Sequence, residues 1–372
     1  MLLIHNIRLL RVTSLLPLLA VAFGLEACGH TEAAPPPVSI DTVMQTVRSY
    51  GHRHQGTPAP APSNLPDKTE EQYEVQVRTL LLEENYAELE KIAQTNRTER
   101  GRFVGGAWKN DIFFCAIACP LSLTTLEDSD FERKIKQITK WKEARPDSSA
   151  ARIALAELYV NYAGLARGED YADTVSEEQW QLFYMRTSMA KQYLLEAGEL
   201  KERDPYWYSV MQWIAHNEGW NKADTRELLD LALAFEPNYY HYYRNYSYYL
   251  LPQWYGEPGE LQAFAEEVAA NHPEPAGSIL YFQIMSTLAC YNKASASRLR
   301  NADWNKLQLG YNNLAKSNGI SDLNANRLAA MACIFSDKAT AKEAFRHVRV
   351  REDGVWPSEN TFLQARAWAD SP

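Results

Sequence analysis

Apolar residues recur at three- and four-residue spacing along most of this chain, a period that predicts helices and not strands. Tyr73, Val77, Leu80 and Leu81 share one face of a segment from Glu70 to Glu84. Leu89, Ile92 and Ala93 do the same between Tyr86 and Gln94, and Glu84-Asn85 separates the two segments, so the pair reads as an αα-hairpin. Asp130 or Ser129 can cap a helix running through Phe131, Ile135, Ile138 and Trp141, and Pro146 followed by Ser148 opens the next one. No β-branched alternating run of strand length interrupts the pattern, so the expected class is all-α.

The helical pattern repeats. Leu155-Ala156 and Tyr159, then an inserted loop, then Ala190, Leu194, Ala197 and Pro205 resemble the two helices of a tetratricopeptide repeat. Trp207, Val210, Met211 and Ile214 with Leu229, Ala232 and Pro237, and Leu328-Ala329 and Ala332 with Ala341, Phe345 and Val348, carry the same alternation of small and large contacts. The resemblance implies a right-handed αα-hairpin solenoid, a tetratricopeptide-like superhelix of about four to six units, because one helix pair cannot bury its apolar face alone. Tyr159, Leu194, Tyr243, Tyr246 and Phe345 are then expected in the core. A wider string, Leu81, Tyr86, Leu89, Arg97, Arg100, Gly106, Trp108-Lys109, Phe113, Trp141, Pro146, Ser148, Ala151-Arg152, Tyr159, Arg167-Gly168, Pro205, Trp207-Tyr208, Gly219-Trp220, Pro237, Tyr239, Pro252, Trp254, Gly256 and Gly259, resembles an uncharacterised bacterial family of tetratricopeptide-like proteins labelled a domain of unknown function. That resemblance spans most of residues 78 to 265 and implies a fold but no catalytic residue.

The N-terminus departs from this pattern. His5, Arg8 and Arg11 precede an apolar run from Val12 to Leu25, too short to span a bilayer but suited to a cleaved secretory signal. Leu25-Glu26-Ala27-Cys28 resembles a bacterial lipoprotein signal, which implies acylation of the Cys28 thiol and a membrane partner through that anchor. Gly29 after the cysteine points to the outer membrane, facing the periplasm; an ordinary secreted or periplasmic protein is the alternative. From Gly29 to Asp67, Pro35, Pro36, Pro37, Pro58, Pro60, Pro62 and Pro66 among Ala, Ser and Gly predict a disordered tether with a reach of roughly 35 Å. Within it, Ile40 to Tyr50 can form a short helix. The expected divisions are a signal peptide at 1–27, a lipid-anchored tether at 28–67 and a helical-repeat domain at 68–372.

Charge narrows the partners. The chain carries a net charge of −9 and no basic cluster, and removal of Arg8, Arg11 and Glu26 with the signal makes it more negative still, which disfavours nucleic acid. Five cysteines in 372 residues are too few to staple the fold, so the core must hold it. Cys115 and Cys119, one helical turn apart in an apolar run, read as buried small side chains in preference to metal ligands, and a Cys290–Cys333 bridge is compatible with an oxidising compartment. His52 and His54 read as solvated linker residues. There is no phosphate-binding Gly-rich loop, zinc-binding His-Glu-x-x-His helix or Gly-x-Ser-x-Gly elbow, and no cofactor is expected. Glu83-Glu84 and Glu266-Glu267 read as solvated helix faces.

The sharpest local signal lies between Tyr239 and Tyr249, where seven of eleven residues are tyrosine. At 100° per residue, Tyr239, Tyr242, Tyr243, Tyr246 and Leu250 form a packing face, while Tyr240, Arg244 and Tyr248 form a second line with His241 beside it. In a tetratricopeptide array that second line faces the concave groove, and the same register adds Glu157 and Asn161, then Tyr208, Gln212 and His216. Tyrosines with an arginine and histidines suit peptide backbones and carboxylates, or sugar rings stacked on aromatic faces. The expected function is a non-enzymatic scaffold binding a protein or peptide, with immunity and envelope-assembly factors within that class. The alternative is a cell-wall or polysaccharide-binding protein, with hydrolase activity drawn from Glu157.

Overall fold

The computed structural model describes residues 38–52, 69–119, 127–168, 172–289 and 293–371. Among the described residues there are seventeen α-helices and no strand, so the chain is all-α. In chain order they are α1 Ile40–His52, α2 Glu70–Leu82, α3 Tyr86–Glu99, α4 Lys109–Ala118, α5 Asp128–Ala144 and α6 Ser149–Arg167. The long α7 spans Glu177–Glu199, followed by α8 Tyr206–Asn217, α9 Lys222–Phe235, α10 Tyr240–Tyr249, α11 Glu260–Ala270 and α12 Ala276–Met285. The C-terminal set is α13 Lys293–Leu299, α14 Trp304–Asn318, α15 Asp322–Ile334, α16 Lys338–Arg346 and α17 Glu359–Asp370. None of the described helices is long and apolar enough to cross a membrane.

Local chemistry sets these boundaries. Thr69 and Gln72 form a reciprocal capping box before α2, and Asn85 caps α3 directly after the break at Glu83-Glu84. The Ser148 hydroxyl accepts from the Ala151 backbone N–H and so starts α6. Neither Ser129 nor Asp130 caps α5. Its N-cap is Glu127, and Asp130 is the third helical residue, whose carboxylate accepts from the Glu127 N–H. The reason is that an acid at the third helical position completes a box as well as one at the cap.

Neighbouring helices pack in sequence, α5 on α6, α6 on α7 and α7 on α8, and alternate ones also touch: α4 on α6, α6 on α8, α8 on α10 and α10 on α12. Tyr159, Leu194, Tyr243, Tyr246 and Phe345 are all buried between them, as are Tyr239, Tyr242 and Leu250 of the tyrosine segment. Cys115 and Cys119 carry free thiols at the end of α4. Cys333 is also a free thiol, and Cys28, Cys290 and His54 lie outside the described residues. Asn96 is buried and donates from Nδ2 to the Tyr73 hydroxyl at 2.9 Å.

Two features change the expected picture. The first is α1, which forms where a short helix was expected but does not lie free in a tether. Val43, Val47 and Tyr50 are fully buried against α7, α8 and α9. The Tyr50 ring stacks on Trp207 at 4.2 Å, and its hydroxyl accepts from the Asp204 N–H at 2.7 Å while donating to the Asp204 carbonyl. A fully buried aromatic with a satisfied hydroxyl is a core residue, so the body takes in part of the segment assigned to a 28–67 tether.

The second is the connection from Arg100 to Trp108. It crosses from α3 to α4 by way of the N-terminal ends of α10 and α15. Arg102 donates to the Asn238 carbonyl at 3.2 Å, and its guanidinium lies 4.8 Å from both the Trp108 and the Tyr240 rings. Three residues on, the Gly105 N–H donates to the Asn318 carbonyl at 2.8 Å and the Gly105 carbonyl accepts from Asn324 at 2.9 Å. Gly105 has φ +86°, and a Cβ there would sit 2.3 Å from the Ser321 hydroxyl, so only glycine allows this approach. The loop thus ties α3 and α4 to the start of α10, the end of α14 and the start of α15.

Candidate functional site

The residues assigned to a groove fall into three places. Tyr208 is not in a groove at all. It is fully buried, packs against Tyr50 and Phe235, and donates its hydroxyl to the Val47 carbonyl of α1 at 3.2 Å. The register argument failed because α1 covers the side of α8 that a plain helix pair would leave open, so nearly every residue of α8 is buried. Gln212 is also buried, and its side chain holds the Tyr242 carbonyl at 3.1 Å, so it joins α8 to α10.

His216 and Tyr248 form a second group, an aromatic nest with Trp213, Trp254 and Tyr255. His216 lies 4.6 Å from Trp254 and 5.8 Å from Tyr248 by ring centroid. Its Nε2 is buried without a hydrogen-bond partner, and burial pushes its pKa down to about 4, so the ring is neutral at pH 7. Tyr248 is half-buried under Trp254, on the connection after α10. The surface expected to run from Tyr208 through His216 to Arg244 is therefore broken into separate parts.

Glu157 and Asn161 on α6 and Tyr240, His241 and Arg244 on α10 form the third group, linked by the charge of His241 acting on Glu157 and that of Asp111 acting on Arg244. Glu157 is buried; it accepts from the Asn161 amide at 3.2 Å and from the Tyr206 hydroxyl, yet burial holds its pKa above the ordinary value. Asn161 also reaches to 4.0 Å from the Cys119 sulfur, and the Cys115 and Cys119 thiols hydrogen-bond to each other. Among the described residues no cluster of three or more His, Cys, Asp and Glu side chains is disposed to hold a metal ion.

Sequence reasoning missed the group that organises this face, Asp111. Its carboxylate accepts from the Tyr239 hydroxyl and, at 2.5 Å, from His241 Nδ1. The only clue was an acid directly before the apolar run Ile112 to Leu121, where a helix bound for the core has no reason to carry one unless it is paired. Asp111 fixes the imidazole, but among the described residues no hydroxyl or thiol is hydrogen-bonded to His241 to serve as a nucleophile. Glu70, at the start of α2, adds to the same face. It remains exposed to solvent, yet the protein around it, with the charges of Glu74, Glu352 and Asp111, raises its pKa to about 7.

Two arginines complete the arrangement. Arg244 on α10 is half-buried, its Nε has no hydrogen-bond partner, and burial lowers its pKa. Arg327 on α15 is only 8% exposed; its one polar contact among the described residues is a 3.5 Å bond to Asn324. Burial and the charge of Arg244 drive its pKa well below the ordinary guanidinium value, against the pull of Glu352. Arg327 stands among alanines and leucines in the sequence, an anomaly of the same kind as Asp111. Acids and cations of α2, α4, α6, α10 and α15 thus act on one another through their charges, chemistry suited to holding polar groups of a ligand. No protein-family model, curated protein or solved structure matches this chain.

Proposed function

We propose that this protein is a tetratricopeptide-like helical-repeat binding protein of the bacterial envelope, anchored through Cys28, which holds a protein or peptide partner by the inner face of its helices. The contacts between alternate helices support the solenoid reading and the resemblance to the uncharacterised tetratricopeptide-like family. The single observation that carries the binding reading is the pair of arginines, Arg244 and Arg327, for which the described residues supply no carboxylate at ion-pairing distance, since a fold built only for stability would replace or pair them. Envelope address rests on the basic N-terminus, the apolar run and Cys28. A pull-down from envelope extract with the acylated chain tests the reading. A partner retained by the wild type and lost on Arg244→Gln supports it, whereas equal capture by both chains contradicts it. Cys28→Ser should abolish labelling by a fatty-acid probe; unlabelled wild-type protein would remove the anchor.

The second reading, a polysaccharide-binding protein, draws on Trp213, Tyr248 and Trp254, half-buried rings that together offer a stacking surface for sugars. Hydrolysis is less well served. Glu157 has the raised pKa of a general acid, but its carboxylate is already bonded by Asn161 and Tyr206, and Asp111 is committed to Tyr239 and His241.

A further inference from the structure

We propose that Arg244 and Arg327 form one oxyanion site on the inner face and that it takes a carboxylate group of the ligand. The inference rests on the binding reading above and names what is recognised. The Arg100–Trp108 connection supplies the geometry: Arg102 lies against Tyr240 at the start of α10, while Gly105 is bonded to Asn324, one helical turn before Arg327. The same loop therefore touches the first turns of both α10 and α15, and the charge of Arg244 acts on Arg327. Among the described residues neither has a carboxylate at ion-pairing distance, whereas Arg97 pairs with Glu202 at 2.8 Å and Arg186 with Asp128 at 2.8 Å.

Two adjacent guanidiniums that repel each other in a desolvated setting gain most from an anion placed between them, and their planar forks match the two oxygens of a carboxylate. The surroundings select a monoanion. Asp111 and Glu352 act through their charges on Glu70 and on the two arginines, so a phosphate dianion would bring a second negative charge beside three acids. Tyr240 and His241 flank the site with ring and hydroxyl groups for the rest of the ligand.

The test uses the mature chain with three probes: acetate, N-acetyl-trialanine with a free C-terminal carboxylate, and the same peptide amidated. Equilibrium dialysis and melting curves should show saturable one-to-one binding of the two carboxylates and none of the amide. Arg244→Gln and Arg327→Gln should each weaken that binding by about tenfold or more, the scale of a lost charge-assisted pair, without lowering the melting temperature. Arg300→Gln, at an exposed position, should bind as the wild type does. Absence of saturable carboxylate binding, retention of it in both Gln variants, or tighter binding of inorganic phosphate than of acetate would each overturn the proposal. These outcomes are distinct from failure of the scaffold reading, which shows as equal partner capture in the pull-down whatever the small probes do.

Discussion

The seam under α1 and the inner face across α10 treat buried charge in opposite ways. At the seam, Asp204 is fully buried with a pKa raised by burial, and the chain surrounds it with partners: Asn110 donates to it at 2.7 Å, the Tyr206 N–H at 2.8 Å, and Arg97 stands at 3.6 Å. Near the same helices Arg100 meets Glu236 at 2.9 Å. On the inner face Arg244 and Arg327 are desolvated without such partners. Both arrangements cost solvation, but only the first recovers it within the protein, so the first holds helices together and the second is left for a ligand.

The strongest way to break this contrast is at the seam. Tyr50→Ala should cost about 3–5 kcal/mol in denaturant unfolding, because it removes a ring stacked on Trp207 and strips Asp204 of a hydrogen bond. A cost near zero would mean that α1 is a detachable tether after all.

The aromatic nest gives the next largest effect through pH. His216 ordinarily titrates near 6.5 and is pushed to about 4 by burial, so the unfolded chain takes up the proton first as pH falls. Its contribution is complete above pH 6.5 and is lost between pH 6.5 and 4, on the order of 3 kcal/mol in all. His216→Phe should flatten that part of the stability profile in unfolding curves taken at stepped pH. An unchanged slope would show that folding does not depress the pKa of His216.

Smaller changes sharpen the picture at the loop that joins the two ends. Gly105→Ala should cost about 1–3 kcal/mol, since the new methyl meets Ser321 and the backbone holds a left-handed φ. Hydrogen exchange at α15 should rise with it. Smallest of all, Arg48→Ala removes an exposed bidentate pair with Glu227 at the edge of α1 and should leave the melting temperature unchanged.

How much of this was legible in the sequence depended on whether a signal was local. Helices, a break at Glu84-Asn85 and the Ser148 cap follow from spacing and end chemistry within a few residues, and the tyrosine packing face follows from 100° per residue. The position of Tyr208 did not, because its environment is set by α1, more than 150 residues earlier in the chain. Asp111 and Arg327 were visible as charges in apolar helices, but their meeting with His241 and Arg244 depends on how the Arg100–Trp108 loop closes the array. Of the groove set, Tyr240, His241 and Arg244 share the inner face because they lie on one helix, where spacing alone is enough.

The most direct test compares melting temperatures of Arg244→Met/Arg327→Met with those of Arg97→Met. Replacing unneutralised buried charges by apolar chains of similar length should leave the double variant as stable as the wild type or more so, while Arg97→Met leaves Asp204 and Glu202 facing each other and should cost about 3–5 kcal/mol. A double variant that melts as far below the wild type as Arg97→Met does would contradict the account, because it would make the inner-face arginines part of what holds the fold together.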